Sequence, residues 1–175
     1  MVIESYFLEK ERIPVFIGKS GSQKREFERK FDAKINVNSE SGEVKIECED
    51  GANVFVLGNI ITAVNLGHSP ESAILLEDEN VVIDSIDVKD YVKDHNRLKV
   101  VMGRIIGKNG STRKVIEEIT KCAVSVKDHY VSFIGPFENI HLIHEAVEML
   151  IKGASHKTLY NFLERNKVNM ETGLL

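Results

Sequence analysis

The stretch GRIIGKNGSTRK at residues 103–114 decides how this chain is interpreted, because its central part occurs twice. Residues 17–22 are IGKSGS and residues 106–111 are IGKNGS, a shift of 89 positions. The shift continues without a gap through the following segment, where for example Phe27 matches Ile116. Self-similarity at a fixed spacing is typical of repeated structural units. The sequence therefore predicts two copies of one unit.

Each copy shows the same succession of hydrophobic patterns, alternating where a strand is predicted and following the helical period where a helix is predicted. The predicted order is strand, short helix, Gly-x-x-Gly turn, helix, strand, strand, helix, which is an α+β unit. The predicted strands are 2–8, 34–38 and 43–48 in the first copy and 81–88, 123–127 and 130–134 in the second. The predicted domains are 1–68, an acidic linker with a short helix at 69–80, 81–153, and a C-terminal helix with a tail at 154–175.

Helix starts are marked by capping residues and by proline in the first turn. Pro14 and Asn96 are the predicted starts of the helices that precede the two turns, and Ser69 is the predicted cap of the linker helix. A last amphipathic helix is predicted from His156 to about Asn166.

The composition predicts a folded protein without a membrane segment. A chain of 175 residues with 42% hydrophobic residues can bury about 70% of its unfolded surface. No apolar run is long enough to span a bilayer, and the N-terminus lacks the basic-then-apolar pattern of a signal peptide, so we expect a cytoplasmic location. Cys48 and Cys122 cannot form a disulfide framework or a zinc site on their own and are predicted to be small buried hydrophobic residues.

The charge is unevenly distributed along the chain. The formal net charge is −4, yet residues 97–114 contain six Lys or Arg and no acid, whereas residues 71–94 contain eight acids and two lysines. Because screening limits each charge to a range of about 10 Å, local charge matters more than the total. The acidic total therefore does not exclude a nucleic-acid partner for the basic segment.

Both Gly-x-x-Gly turns lead into helices that begin with cations rather than with the Asp or Glu that the helix dipole favours. Free N–H groups, a positive helix end, glycines that permit close approach and nearby cations together form a phosphate cradle. The sequence therefore predicts a nucleic-acid site at the second turn, formed by Gly103, Arg104, Ile106, Gly107, Lys108, Asn109, Gly110, Ser111, Thr112, Arg113 and Lys114. A secondary site is predicted at the first turn, formed by Gly18, Lys19, Ser20, Gly21, Lys24 and Arg25.

The predicted roles within these sites differ. Arg104, Lys108 and Arg113 are expected to supply charge, and Ser111 or Thr112 to donate a hydrogen bond. In the first copy, two glutamates at positions 26 and 28 reduce the local positive charge, so we expect a secondary nucleic-acid contact or a structural role there.

Catalytic alternatives fit less well. A nucleotide-binding P-loop needs one more residue between its glycines than residues 103–109 provide, and it follows a strand rather than a helix. His141 and His144 have a spacing that could chelate a metal, and the acids of residues 77–87 could hold Mg²⁺ for a nuclease. Both sets are predicted to be ordinary surface residues. We therefore expect no catalytic residue, metal or cofactor, and no enzymatic activity.

The motif Ile-Gly-x-x-Gly followed by helix, strand, strand and helix resembles the type I KH domain, and both copies show it. The resemblance implies two domains of order β-α-α-β-β-α, each with a three-stranded antiparallel sheet and helices on one face. It also implies that the turn clamps the backbone of about four single-stranded nucleotides while a groove reads the bases. The groove floor would consist of Ile105, Ile106, Ile116, Ile119 and Val124, with Val126 at the strand edge.

The second copy resembles more specifically a ribosome-biogenesis KH family, the archaeal counterpart of the eukaryotic pre-ribosomal RNA processing factor called partner of Nob. The resemblance rests on residues 103–113, 149–153 and 156–164 and runs from about Ile3 to Arg165. It implies two KH units packed as one body, which bind the 3′ region of small-subunit ribosomal RNA and assist the endonuclease that trims it. The alpha subunit of translation initiation factor two is a further implied partner.

Two functions remain open from the sequence. The first is a single-stranded RNA-binding protein of small-subunit ribosome maturation. The second is a protein-interaction scaffold with a KH fold that no longer binds RNA, in which the acidic linker and the last helix form the working surfaces.

Overall fold

The computed structural model describes residues 1–172, with side chains through Lys167. The chain divides into two compact units, Met1–Glu79 and Asn80–Leu175. The finer domain boundaries expected from the sequence remain predictions. None of the helices formed by the described residues is both long and apolar enough to cross a bilayer.

The first unit is an α+β unit with one antiparallel sheet. Its elements are β1 (Val2–Phe7), α1 (Ile13–Ile17), α2 (Ser22–Lys30), β2 (Ala33–Val37), β3 (Glu43–Cys48), α3 (Gly51–Asn65) and α4 (Pro70–Ala73). The strand order is β1-β3-β2, so that Ile46 of the central strand is opposite both Glu4 and Ile35. The rings of Phe16 and Phe27, both fully buried, lie 5.4 Å apart and join α1 to α2.

The predicted linker helix forms, and it packs on the first unit. The Ser69 hydroxyl accepts a hydrogen bond from the Ser72 amide at 3.3 Å, which caps α4 as the sequence predicts. Leu76, in the turn that follows, is buried. Glu77 forms a 2.5 Å ion pair with Lys30 of α2. This acidic segment therefore adds to the surface of the first unit.

The second unit has the same β-α-α-β-β-α order, and it is likewise followed by a further helix, which is much longer than α4. Its elements are β4 (Val81–Asp87), α5 (His95–Ile106), α6 (Ser111–Thr120), β5 (Ala123–Lys127), β6 (Tyr130–Pro136), α7 (Ile140–Ile151) and α8 (His156–Thr172). The strand order is β4-β6-β5, again antiparallel. The outer strands β2 and β5 therefore hold equivalent positions in the two units.

The core of the second unit lies between one face of its sheet and the helices. Val131 and Phe133, two residues apart on the central strand, are fully buried and face the same side of the sheet. They pack in one cluster with Ile105 of α5, Ile116 of α6 and Ile143 of α7, all fully buried. The helices that flank the Gly-x-x-Gly turn are thus anchored to the sheet by their apolar faces.

Most predicted strand bounds agree with the structure to within one residue, but β6 continues two residues further, to Pro136. The reason is its central position, because Val81 of β4 still pairs with Pro136 beyond the end of β5. Helix α5 begins at His95, one residue before the predicted start, because the Asp94 carboxylate accepts a 2.7 Å hydrogen bond from the Arg97 amide.

The last helix is longer than predicted. Helix α8 continues six residues past Asn166, to Thr172. No glycine or proline occurs between His156 and Gly173, so the sequence offers no stop signal there. Residues 173–175 of the predicted tail lie outside the described residues.

Candidate nucleic-acid interface

The two Gly-x-x-Gly turns have nearly the same backbone conformation. Gly107 has φ 74° and ψ 170°, and Gly18 has φ 72° and ψ 175°. In each turn the amide of the second glycine donates a 3.1 Å hydrogen bond to the carbonyl of the first. The sequence repeat is therefore also a repeat of local geometry.

The two glycines of the second turn are required for different reasons. A Cβ on Gly107 would lie 2.3 Å from Thr112 Oγ1 and 2.6 Å from the Thr112 backbone nitrogen, so no side chain fits. A Cβ on Gly110 would meet no atom within 4 Å, and only its φ of 75° favours glycine there. The surface at Gly110 is thus open to a ligand.

Helix α6 begins at this open surface without a cap. Gly110 occupies the capping position, no side chain hydrogen-bonds there, and the first turn contains no acidic residue. The N-terminal amides of a helix carry the positive end of its dipole and bind anions. The start of α6 can therefore accept a phosphate group.

Cations and polar groups surround this helix end. Lys108, Asn109, Ser111 and Lys114 are exposed. Among the described residues, no hydrogen bond or ion pair engages the side chain of Lys108 or Lys114. The Arg113 Nε atom lies 3.8 Å from Glu117 Oε2, and the side chain is 41% exposed. The structure therefore brings together most of the predicted site.

Arg104, which the sequence predicts to supply charge to a ligand, is engaged within the unit. Its guanidinium donates one hydrogen bond to the Leu150 carbonyl at 3.0 Å and another to the Ala154 carbonyl. These carbonyls lie at the C-terminal end of α7 and in the connection to α8, where helical hydrogen bonds end. Arg104 therefore ties α5 to the end of α7.

Thr112, whose hydroxyl is one of the two predicted donors to a ligand, also has a contact within the unit. The residue is fully buried, and its Oγ1 atom lies 3.4 Å from Tyr160 Oη. It packs against Gly107. Of the two predicted hydroxyl donors, only Ser111 is exposed.

The first turn differs from the second in the use of its cations. Lys24, a predicted ligand contact, places Nζ 2.7 Å from Glu28 Oε1 and 2.8 Å from the Ile35 carbonyl, so its charge is engaged within the unit. Arg25 Nη1 donates to the Ser20 carbonyl at 2.8 Å and lies over Gly21, where a Cβ would be only 3.0 Å away. The Arg25 side chain thus covers the first turn, whereas Lys114, at the corresponding position, leaves the second turn open.

The same carboxylate contact with the outer strand occurs in both units. Glu28 Oε1 accepts a 2.9 Å hydrogen bond from the Ile35 amide, and Glu117 Oε1 accepts a 2.8 Å bond from the Val124 amide. Burial alone would raise the pKa of Glu28, but hydrogen bonds from Lys24 and the Ile35 amide, with nearby cations, lower that pKa below its usual value. Glu28 therefore neutralises Lys24 at neutral pH.

The predicted groove floor consists mainly of core residues. Four of its members are buried and face the helix–sheet cluster: Ile105, Ile116, Ile119 and Val124. Ile106 is 38% exposed and Val126 is half-buried. These two residues are the apolar surface that a base could contact beside the turn.

Gly103 lies one helical turn before Gly107, on the exposed side of α5. A Cβ at this position would meet no atom within 4 Å, and its φ is not positive. Glycine in a helix interior lowers stability by about 0.5–1 kcal/mol relative to alanine. Neither backbone conformation nor intramolecular packing therefore explains this glycine.

Sequence reasoning missed two contacts of α8. Its first residue, His156, places Nε2 3.0 Å from the Arg104 carbonyl. Tyr160, one turn later, reaches Thr112 as described above. No sequence signal identifies these contacts, because the partners are 52 and 48 residues apart.

The residues considered for catalysis have other partners. His144 Nε2 lies 2.9 Å from Asp84 Oδ2. Within residues 1–167, no group of three or more His, Cys, Asp or Glu side chains is placed to hold a metal ion. Cys48 and Cys122 are free and buried, and burial raises the pKa of the Cys122 thiol.

Residues 82–168 match the family described as the eukaryotic type KH-domain (KH-domain type I). The KH domain-containing protein MJ0443 of Methanocaldococcus jannaschii is 36% identical over 169 residues, which cover 94% of this chain and 74% of that protein. The pre-rRNA-processing protein pno1 of Emericella nidulans is 30% identical over 148 residues, or 81% of this chain. This chain spans only 57% of the length of that fungal relative.

Two solved structures from Pyrococcus horikoshii OT3 are similar to nearly the whole chain. The crystal structure of Dim2p has a TM-score of 0.85 and 38% identity, covering 94% of this chain and 99% of the other. The crystal structure of an a/eIF2alpha–aDim2p–rRNA complex has a TM-score of 0.87 and 38% identity, covering 96% of this chain and 95% of the other. The α+β fold, the Gly-x-x-Gly geometry and these similarities together show that the chain belongs to the KH-domain family that includes MJ0443, archaeal Dim2p and the PNO1 pre-rRNA-processing proteins.

Proposed function

We propose that this protein binds single-stranded RNA through the Gly107–Gly110 turn and acts in maturation of small-subunit ribosomal RNA. The observation that carries the proposal is the open, uncapped start of α6 with Lys108 and Lys114 exposed beside it. Single-stranded RNA offers both the phosphates for this helix end and unstacked bases for the apolar surface at Ile106. The complex of aDim2p with rRNA, similar over nearly the whole chain, supports the same partner here.

The proposed target is the 3′ region of small-subunit ribosomal RNA. The proposed role of this protein is to assist the endonuclease that trims that region. The alpha subunit of initiation factor two is a proposed protein partner. The relatives support this choice, since they include a pre-rRNA-processing protein and a complex with a/eIF2alpha and rRNA.

The first unit is proposed to be a second KH domain. It has the same order of elements, the same strand order and the same turn geometry as the second unit. Because Lys24 and Arg25 are engaged within the unit, we assign it a structural role or a weaker RNA contact. That the two units pack as one body stays a prediction.

Salt dependence tests the proposed function against a scaffold that has lost RNA binding. Binding of a labelled RNA from the 3′ end of small-subunit ribosomal RNA is measured at several salt concentrations beside a scrambled RNA. With two or three cations at the turn, we expect the logarithm of affinity to fall with the logarithm of salt concentration with a slope of about −2. Absence of binding to either RNA favours the scaffold, and equal binding to both contradicts the assigned target.

Gly103 provides a test in which stability and affinity change in opposite directions. Gly103→Ala is expected to raise the free energy of unfolding by about 0.5–1 kcal/mol, because alanine restricts the unfolded chain and meets no neighbour in the helix. The added methyl group occupies surface beside the turn, so we expect RNA affinity to fall about 5-fold. Urea unfolding measures the free energy of unfolding, and RNA titration of the same preparation measures the affinity. An unchanged affinity would show that RNA does not contact this side of α5.

A further inference from the structure

Helix α8 extends the second unit beyond the repeated elements and contacts both sides of its Gly-x-x-Gly turn. We propose that α8 braces this turn, with His156 and Tyr160 as positioning residues for RNA binding. The inference rests on the proposed function. The two residues contact the protein segments that flank the turn and are not proposed to contact the RNA itself.

The first contact fixes the end of α5. The Gly103 carbonyl still accepts a helical hydrogen bond, from the Gly107 amide at 2.9 Å. The next carbonyl, that of Arg104, lies where α5 ends and receives His156 Nε2 at 3.0 Å. The last carbonyls of a helix need such outside donors. His156 therefore holds the backbone that leads into the turn.

The second contact fixes the start of α6. Tyr160 Oη lies 3.4 Å from Thr112 Oγ1, and Thr112 packs against Gly107 so closely that no Cβ fits between them. Tyr160 and His156 are four residues apart on α8, and their rings stack at 6.2 Å with an interplanar angle of 16°. One face of α8 thus holds both flanks of the turn.

The brace is itself well anchored. Leu159 and Leu163 of α8 are fully buried in the core of the second unit. The Arg104 guanidinium bonds to the Leu150 carbonyl at the end of α7 and to the Ala154 carbonyl in the connection into α8. A turn held by fixed elements loses less conformational entropy when it closes on a ligand.

The first unit lacks the groups for an equivalent arrangement. By the 89-residue shift, Gln23 occupies the position of Thr112, and Val15 that of Arg104. The hydroxyl and guanidinium of the second unit thus have no counterparts there. The turn of the first unit keeps the same two backbone hydrogen bonds, from Gly18 to Pro14 and from Gly21 to Gly18. The first turn therefore serves as an internal reference for measurements on the second turn.

Amide hydrogen exchange in the RNA-free protein tests the brace directly. Tyr160→Phe and His156→Ala are each expected to speed exchange of the Gly107 and Gly110 amides by about 5-fold, the loss corresponding to one hydrogen bond. The Gly18 and Gly21 amides of the first turn should keep their rates. Unchanged exchange at Gly107 and Gly110 in both variants would overturn the proposal.

RNA affinity measures the functional consequence. Tyr160→Phe and His156→Ala are expected to weaken binding about 5-fold each, and His156→Gln to restore most of it, because its amide is a hydrogen-bond donor of similar reach. Tyr91→Phe is the matched control, since it removes another 3.4 Å tyrosine hydroxyl contact, to Glu148, away from the turn.

The two proposals fail in different ways. If the unmodified protein does not bind RNA, the proposed function is wrong. If it binds and the His156 and Tyr160 variants bind equally well, the proposed function stands and the brace is wrong.

Discussion

Replacing both Lys108 and Asn109 with aspartate is expected to weaken RNA binding about 100-fold, because two carboxylates would face the phosphates and like charges brought together cost several kcal/mol. The free energy of unfolding should change by no more than about 0.5 kcal/mol, since both side chains are exposed. Asn109 has φ 54°, a conformation that aspartate also adopts. RNA titration and urea unfolding of the variant measure the two quantities.

The matched control is the same change at Lys19 and Ser20 of the first turn. That turn has the same backbone but is covered by Arg25, so we expect a loss of affinity below about 3-fold. Full affinity in the Lys108 and Asn109 variant would show that RNA does not bind at the second turn. Equal losses in the two variants would show that both turns contact RNA.

Gly107→Ala is expected to lower the free energy of unfolding of the second unit by about 3 kcal/mol. The φ of 74° with ψ of 170° belongs to a region that is essentially restricted to glycine. A Cβ would also lie 2.3 Å from Thr112 Oγ1 and 2.6 Å from the Thr112 backbone nitrogen, and the backbone cannot shift without moving α6. Exchange of the β6 amides under increasing urea measures the stability of this unit.

Gly110→Ala separates backbone conformation from packing. Its φ of 75° and ψ of 15° are left-handed helical, and its Cβ would point into open space. The expected loss is about 1 kcal/mol, from the backbone alone. If the Gly107 and Gly110 variants lose the same stability, the contact with Thr112 is not what requires glycine at position 107.

Features that depend on local backbone conformation could be predicted from the sequence. The 89-residue shift predicted two units of the same order, and the glycines marked the turns, because few other residues adopt positive φ without strain. The uncapped, cation-rich start of α6 was also visible in the order Ser111 to Lys114.

The use of individual cations could not be predicted in the same way. A cation near a glycine turn has the same appearance in sequence whether it faces a phosphate or a helix end. Arg104 bonds to carbonyls 46 and 50 residues away, and Thr112 to a tyrosine 48 residues away. Only the fold brings these groups together. The pairing of Lys24 with Glu28 is local, at i,i+4 spacing.

The carboxylate that both units place against their outer strand has a consequence for solubility. An unpaired N–H on an outer strand is a template on which a strand of another molecule can add. The Glu28 carboxylate accepts a hydrogen bond from this N–H at Ile35 of β2, and the Glu117 carboxylate accepts one at Val124 of β5. In both units this amide is therefore closed to pairing with a strand of another molecule, although the cations around the two turns differ.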